Sequence, residues 1–214
     1  MSGSVKSVKA PGRVRDAECT RMAILEAAET EFARAGLAGA RTENIAEMTG
    51  VTRAMIHYYY DSKEKLYQAV LEKFLRARLE AIQKINLNDP DVTNAVTQFV
   101  REFVLQQQGN VSVSSIMLFE AVQNHGRYYK EIALAAIYEP LLTLLRRGME
   151  EGVFRKMDPL HATINIIGIC VFYFCSRENV KHLFPPGTDL LSDAEVAKHL
   201  DESLALVLNG LKAH

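Results

Sequence analysis

The chain of 214 residues has only three cysteines, an odd count with no CxxC pair, so neither a disulfide framework nor a thiolate metal site is expected. Cys170 and Cys175 fall on different sides of one expected helix and read as buried apolar side chains; free thiols suit a reducing cytoplasm. Long apolar runs are also missing. The longest nearly apolar stretch, Ile164 to Cys175, is well short of the roughly 20 residues that span a bilayer, and no apolar signal-peptide core opens the sequence, so no membrane partner is expected. There is no Gly-rich phosphate loop, HExxH, nucleophile elbow or paired metal-ligand motif. An enzyme would have to assemble its site from isolated residues, and neither a cofactor nor a metal is expected. No strand-like alternation is strong enough for a sheet, which leaves an all-α chain whose 48% apolar and 24% charged residues are ordinary for a soluble globular protein.

What is present is concentrated between Thr42 and Lys63, in TENIAEMTGVTRAMIHYYYDSK. Thr42 reads as an N-cap, and Ile45, Ala46 and Thr49 then share one face of a short helix. Gly50 stands where a helix ends in the left-handed region, and Thr52 is a second N-cap two residues on. A second short helix from Thr52 to Tyr59 holds Ile56 inward, with Val51 in the turn beside it. Two short helices around a glycine turn have the geometry that lays the second in a major groove.

The side chains expected outside suit DNA. Arg53 reaches a phosphate or pairs with guanine, and Ala54 is small enough to let the helix end approach the groove. His57 and Tyr58 can bond phosphates or pack on a thymine methyl, and Lys63 can add a charge-assisted phosphate contact. Thr42, Thr52 and Tyr59 complete the candidate DNA-binding set, whereas Tyr60 reads as core. Each single side chain also has a plainer reading as ordinary surface.

With ILEAAETEFARAG before this segment and EKLYQAVL after it, the chain resembles the TetR family of bacterial transcriptional regulators from about Thr20 to Leu71. It departs at His57, where the family usually has tyrosine, at Tyr60, where phenylalanine is commoner, and at Met48, where a small residue is usual. The resemblance implies an N-terminal three-helix helix-turn-helix DNA-binding domain and a C-terminal helical bundle that binds an effector and dimerises. It also implies a homodimer on a palindromic double-stranded DNA operator, released by a small-molecule effector. A repressor is expected before an activator, because a dimer covering a promoter blocks polymerase without further contacts. A bundle that only dimerises or binds protein partners is the alternative. The stretch EPLLTLLRRGMEEGVFRKMDP extends the likeness, and the layout is similar to the subgroup containing pyrimidine-catabolism regulators.

The net charge of −1 is unevenly spread. Through Arg21 there are five basic residues against two acidic ones, and residues 1–16 read as a disordered basic arm that lies along DNA or merely solvates the terminus. The DNA-binding domain is then 17–61 and the ligand-binding and dimerisation domain 62–214. Its first helix is expected from Ala17 to Ala35, with Met22, Leu25, Ala28, Glu29 and Phe32 marking the repeat and Gly36 ending it. Later helices are expected at 62–85, 91–107, 111–124, 127–152, 159–182 and 192–211.

The last two of these carry more apolar surface than one face needs, through Ile164, Ile167, Val171 and Phe172 and then Leu200, Leu204 and Val207. They form a dimer interface or pack wholly within the protomer. For the effector, Phe99, Phe103, Met117, Glu120, Tyr138, Phe172 and Tyr173 are the candidates, each of which also reads as plain core. Glu120 interrupts the apolar segment Ile116 to Val122, where a carboxylate contacts a ligand or pairs structurally with an arginine.

Overall fold

A computed structural model of the protein describes residues 11–131 and 135–213. The chain divides into two compact units between Val70 and Leu71. The first contains α1 (Pro11–Gly39), α2 (Thr42–Thr49), α3 (Arg53–Tyr60) and the start of α4 (Lys63–Ile82). The unit boundary therefore lies inside α4 and not at residue 61, because Leu66, Tyr67 and Val70 are buried with the first unit's core.

Helix α1 begins at Pro11, six residues earlier than expected, where a missing N–H costs nothing in a first turn. The expected arm thus loses residues 11–16 to a helix, and its residues 1–10 lie outside the described residues. Gly36 breaks the helical geometry where an end was expected (φ 67°, ψ 177°), and one more turn follows it. Ile24, Ala28 and Phe32 form the buried face of α1, Ile45, Ile56 and Tyr60 are buried in the same unit, and the Phe32 ring meets Tyr67 edge-on at 5.0 Å. Met22, expected on this face, is exposed. Burying each large side chain stabilises by about 1.5–3 kcal/mol, more than the ~0.2–1 kcal/mol of a surface ion pair, so apolar anchoring fixes where α3 lies.

The second unit holds the rest of α4, then α5 (Val92–Gly109), α6 (Ser112–Gln123), α7 (Arg127–Glu131), α8 (Ala135–Glu150), α9 (Pro159–Cys175), α10 (Arg177–Val180), a 3-10 turn (Lys181–Leu183) and α11 (Asp193–Leu211). Helix α5 runs through its middle, packed on α8, α9 and α11. Asp91 caps it by accepting from the Thr93 and Asn94 N–H groups, and Val92, Val96, Phe99, Val100 and Phe103 bury one wide stripe. The segment expected at 127–152 is two helices, with 132–134 outside the described residues, and the one expected at 159–182 stops at Cys175. There the Ser176 hydroxyl donates to the Phe172 carbonyl (2.6 Å), and the chain turns into α10.

After α8 the backbone passes so close that the Phe154 ring lies where a side chain at Gly148 would be. Among the described residues there is no strand, only an isolated antiparallel bridge between Phe154 and Lys212. No single helix among them is long and apolar enough to cross a membrane.

Candidate nucleic-acid interface

The helix-turn-helix is built by three local devices. Gly50 takes φ 68°, ψ 11°, which lets α2 end and the chain reverse without the cost a Cβ would carry. Thr52 caps α3, its hydroxyl accepting from the Met55 N–H (3.3 Å). The start of α2 is not capped by Thr42, which is the first helical residue and is buried; the cap position is Arg41, with extended backbone and no side-chain bond of its own. Glu31 of α1 does this work from outside the helix. Its Oε1 accepts from the Arg41 N–H (3.0 Å) and from Asn44 Nδ2 (2.9 Å), while Arg34 pairs with both carboxylate oxygens at 2.8 and 2.9 Å. These partners, Arg34 first, hold the Glu31 carboxyl below its ordinary pKa against the opposing effect of burial.

Helix α3 is pinned from beneath by Ile56 and Tyr60. The Tyr60 hydroxyl donates to the Arg21 carbonyl (2.9 Å), and the Arg21 guanidinium lies 5.6 Å from its ring centre. The opposite face presents Thr52, Arg53, Ala54, His57 and Tyr58 to solvent, with Tyr58 80% exposed. Tyr59 is half-buried and meets Tyr58 edge-on at 5.2 Å, which stiffens the exposed ring. Asp61 ends the helix with φ 65°, and His57 Nδ1 lies 2.9 Å from its carbonyl oxygen. A carbonyl only accepts, so Nδ1 is the donor in this bond.

Two of the basic candidates are already engaged. Arg53 pairs with Glu43 of α2 at 2.7 Å, both side chains remaining more than half exposed. Lys63 is half-buried and donates to the Ala40 carbonyl (3.1 Å), tying the start of α4 to the loop before α2 and leaving two of its three ammonium donors. The structure thus brings Thr52, Arg53, Ala54, His57 and Tyr58 to one exposed face of α3, leaves Tyr59 half-buried beside Tyr58 and Lys63 tied to the loop before α2, and buries Thr42.

Sequence comparison agrees with this geometry. Residues 24–70 match the family described as bacterial regulatory proteins, tetR family, and residues 75–207 match the tetracyclin repressor-like C-terminal domain. The chain belongs to the TetR family. It is 28% identical over 208 residues to the HTH-type transcriptional repressor NicS of Pseudomonas putida, covering 94% of this chain and 96% of that protein. It is 28% identical over 158 residues to the HTH-type transcriptional regulator RutR of Escherichia coli, covering 72% and 74%. The fold matches the ketosteroid transcriptional regulator KstR2 of Mycobacterium tuberculosis (TM-score 0.73, 19% identity, 97% and 98% covered) and the hemolysin II transcriptional regulator HlyIIR (TM-score 0.70, 22% identity, 92% and 99% covered). This TetR-family chain is therefore a DNA-binding transcriptional regulator, and its relatives are regulators, not enzymes.

In the regulator's second unit a cavity opens between α4 and α5–α9. From α4 it is lined by Leu71, Phe74, Leu75 and Arg78, and from the other helices mainly by Phe103, Met117, Tyr129, Ile137, Tyr138 and Ile167. Three of the expected effector residues, Phe103, Met117 and Tyr138, line it. Phe99 lies behind, stacked on Phe103 at 5.7 Å. Glu120 is not on the wall: its carboxylate accepts from Asn124 Nδ2 (2.6 Å) and the Tyr128 N–H (2.7 Å), tying the α6–α7 turn together. Phe172 and Tyr173 line a different, outer groove, where the Tyr173 hydroxyl donates to the Leu190 carbonyl and its ring stacks on His199 at 4.2 Å.

Arg78 and Tyr129 were absent from the sequence expectation. The signal for Arg78 is its register: Leu71, Phe74, Leu75 and Arg78 recur at the spacing of one helix face, so a cation sits on an apolar stripe. The free space is small. About 30 Å³ is open to the centre of a water molecule, room for about two waters, so any larger guest must move the side chains around it.

Proposed function

We propose that this regulator is a homodimeric repressor that binds a palindromic operator through α3 and is released when a small effector enters the cavity of its second unit. The observation that carries the DNA part is the exposed face of α3, with Arg53, Ala54, His57 and Tyr58 on a helix whose other side is locked by Ile56 and Tyr60. One such helix reads only a few base pairs, so useful affinity asks for two, related by a two-fold axis and spaced about 34–36 Å or a multiple.

A dimer is supported by the outer face of α9. Leu160, Ile164 and Phe172 recur at multiples of four residues and are 51%, 48% and 65% exposed, with Gly168 completing the row and Leu206 of α11 66% exposed. Such a self-complementary apolar stripe suits a two-fold interface. NicS being a named repressor, and a dimer on a promoter obstructing polymerase by itself, favour repression.

The effector part rests on α4. Four cavity residues belong to this helix, which begins in the first unit, so a guest that pushes them shifts the helix on which α3 depends. The shift in operator affinity cannot exceed the guest's differential affinity for the two conformers, and the linkage is reciprocal. Sedimentation equilibrium tests the dimer: the chain should sediment at twice its 24.0 kDa mass, and Phe172→Glu should shift it toward the monomer. A wild-type chain that stays monomeric at operator-binding concentrations overturns this reading.

A further inference from the structure

Among the described residues that line the cavity, Arg78 is the one cation. Arg78 is 7% exposed, on a wall otherwise made of apolar and phenolic side chains. Its guanidinium lies 3.6 Å from the centre of the Phe103 ring, and Nη1 donates to the Phe103 carbonyl at 3.3 Å. Those contacts satisfy one of its five N–H donors and part of its charge. Among the described residues no carboxylate pairs with it; the carboxylate that the sequence suggested for this region, Glu120, is turned into the α6–α7 turn.

The neighbours able to lose a proton do not serve as counter-ions either. Burial pushes the Cys170 thiol up to about 12, and it pushes the Tyr129 and Tyr138 phenols up as well, so all three are neutral at physiological pH. Burial lowers Arg78 itself only to about 10, so the guanidinium stays charged. A charge without a counter-ion in apolar surroundings is costly unless a partner arrives, and the polar groups of the described lining, one fork of N–H donors and two neutral phenols, all offer a proton.

We propose that the effector is a small monocarboxylate with an apolar body, its carboxylate on the Arg78 fork and its body among Phe74, Phe103, Met117 and Tyr138. Arginine matches a carboxylate with two parallel N–H bonds, and the low-dielectric wall strengthens the pair. The phenol of Tyr129 is placed to donate to the same anion. Because Arg78 sits on α4, the anion pulls on the helix that also belongs to the DNA-binding unit. This assignment deepens the effector reading given above and rests on it.

The test uses the full chain without DNA, by thermal melting with benzoate and phenylacetate, each against its own amide, benzamide and phenylacetamide, at matched chloride. A bound ligand raises the melting temperature by mass action. The expected result is that at least one acid binds about tenfold or more tighter than its amide, and that Arg78→Met abolishes this preference. Methionine keeps an unbranched side chain without burying a charge, so the fold should survive; Arg78→Gln, which retains a donor for the Phe103 carbonyl, is the second variant should Arg78→Met not fold. Amides binding as well as acids, acid binding unchanged by the substitutions, or no acid binding at all overturns the anion assignment. Amide binding without an acid preference leaves the wider effector reading intact, and release from operator DNA is measured separately.

Discussion

Glu43→Gln should tighten operator binding. In the free protein Arg53 is held by Glu43 at 2.7 Å, and the pair must open or be shared before Arg53 reaches a phosphate or a guanine edge. The side chains are 59% and 55% exposed, so solvent screens the pair and its worth is about 0.2–1 kcal/mol. Released in both protomers of a dimer, that is roughly 0.4–2 kcal/mol, or about two- to thirtyfold in affinity. Removing a carboxylate from beside the phosphates acts in the same direction. Against this, Glu43 lies in the first turn of α2, where an acid favours the helix by roughly 0.3–1 kcal/mol, so folding stability must be measured alongside. Fluorescence anisotropy with a labelled operator at two salt concentrations reads the effect, and the gain should largely vanish in an Arg53→Ala background. Weaker binding by Glu43→Gln at unchanged stability refutes the reasoning; it would mean that Glu43 holds Arg53 in its reading posture.

Arg53→Ala and His57→Ala should reduce discrimination among operators, whereas Lys63→Ala should weaken binding to every sequence and lower the salt slope by roughly 0.9 per lost phosphate contact, which competition assays across a salt series separate. Glu31→Ala leaves the Arg41 N–H and Asn44 without their acceptor and should cost the first unit about 1–3 kcal/mol in denaturant unfolding. Because the folded Glu31 pKa is depressed, its contribution is complete above the ordinary 4.5 and is lost as pH falls through the folded value; Glu31→Gln should flatten the acid limb of the stability curve. Gly148→Ala drives a methyl into the Phe154 ring and should cost the second unit about 1–3 kcal/mol, read as a lower melting temperature.

How far the sequence could be read depended on how local the cause was. Thr52 is a cap because its hydroxyl meets an N–H three residues away, and Gly50 turns the chain through its own φ; both were legible. Thr42 misled because the stabiliser of α2 is Glu31, ten residues before the cap position Arg41 and on another helix, and only packing brings it there. Glu120 stands out in sequence as a carboxylate in an apolar helix, but its bonds to Asn124 and the Tyr128 backbone answer a turn that periodicity does not show. Arg78 was legible in principle as a cation on the stripe of Leu71, Phe74 and Leu75. Phe172 and Tyr173 look like any cavity aromatics in sequence, and only the rotation of α9 assigns them to the outer groove.

Whether this TetR-family chain reads DNA as a two-fold dimer through α3 is decided by selecting duplexes from a random pool with the purified protein at a fixed salt concentration. A palindrome whose half-site centres lie about 34–36 Å apart, or a multiple of that, should be enriched, and lost when Arg53 and His57 are both replaced by alanine. Enrichment of a single asymmetric site, or a palindrome that survives those replacements, would contradict two-fold reading through α3.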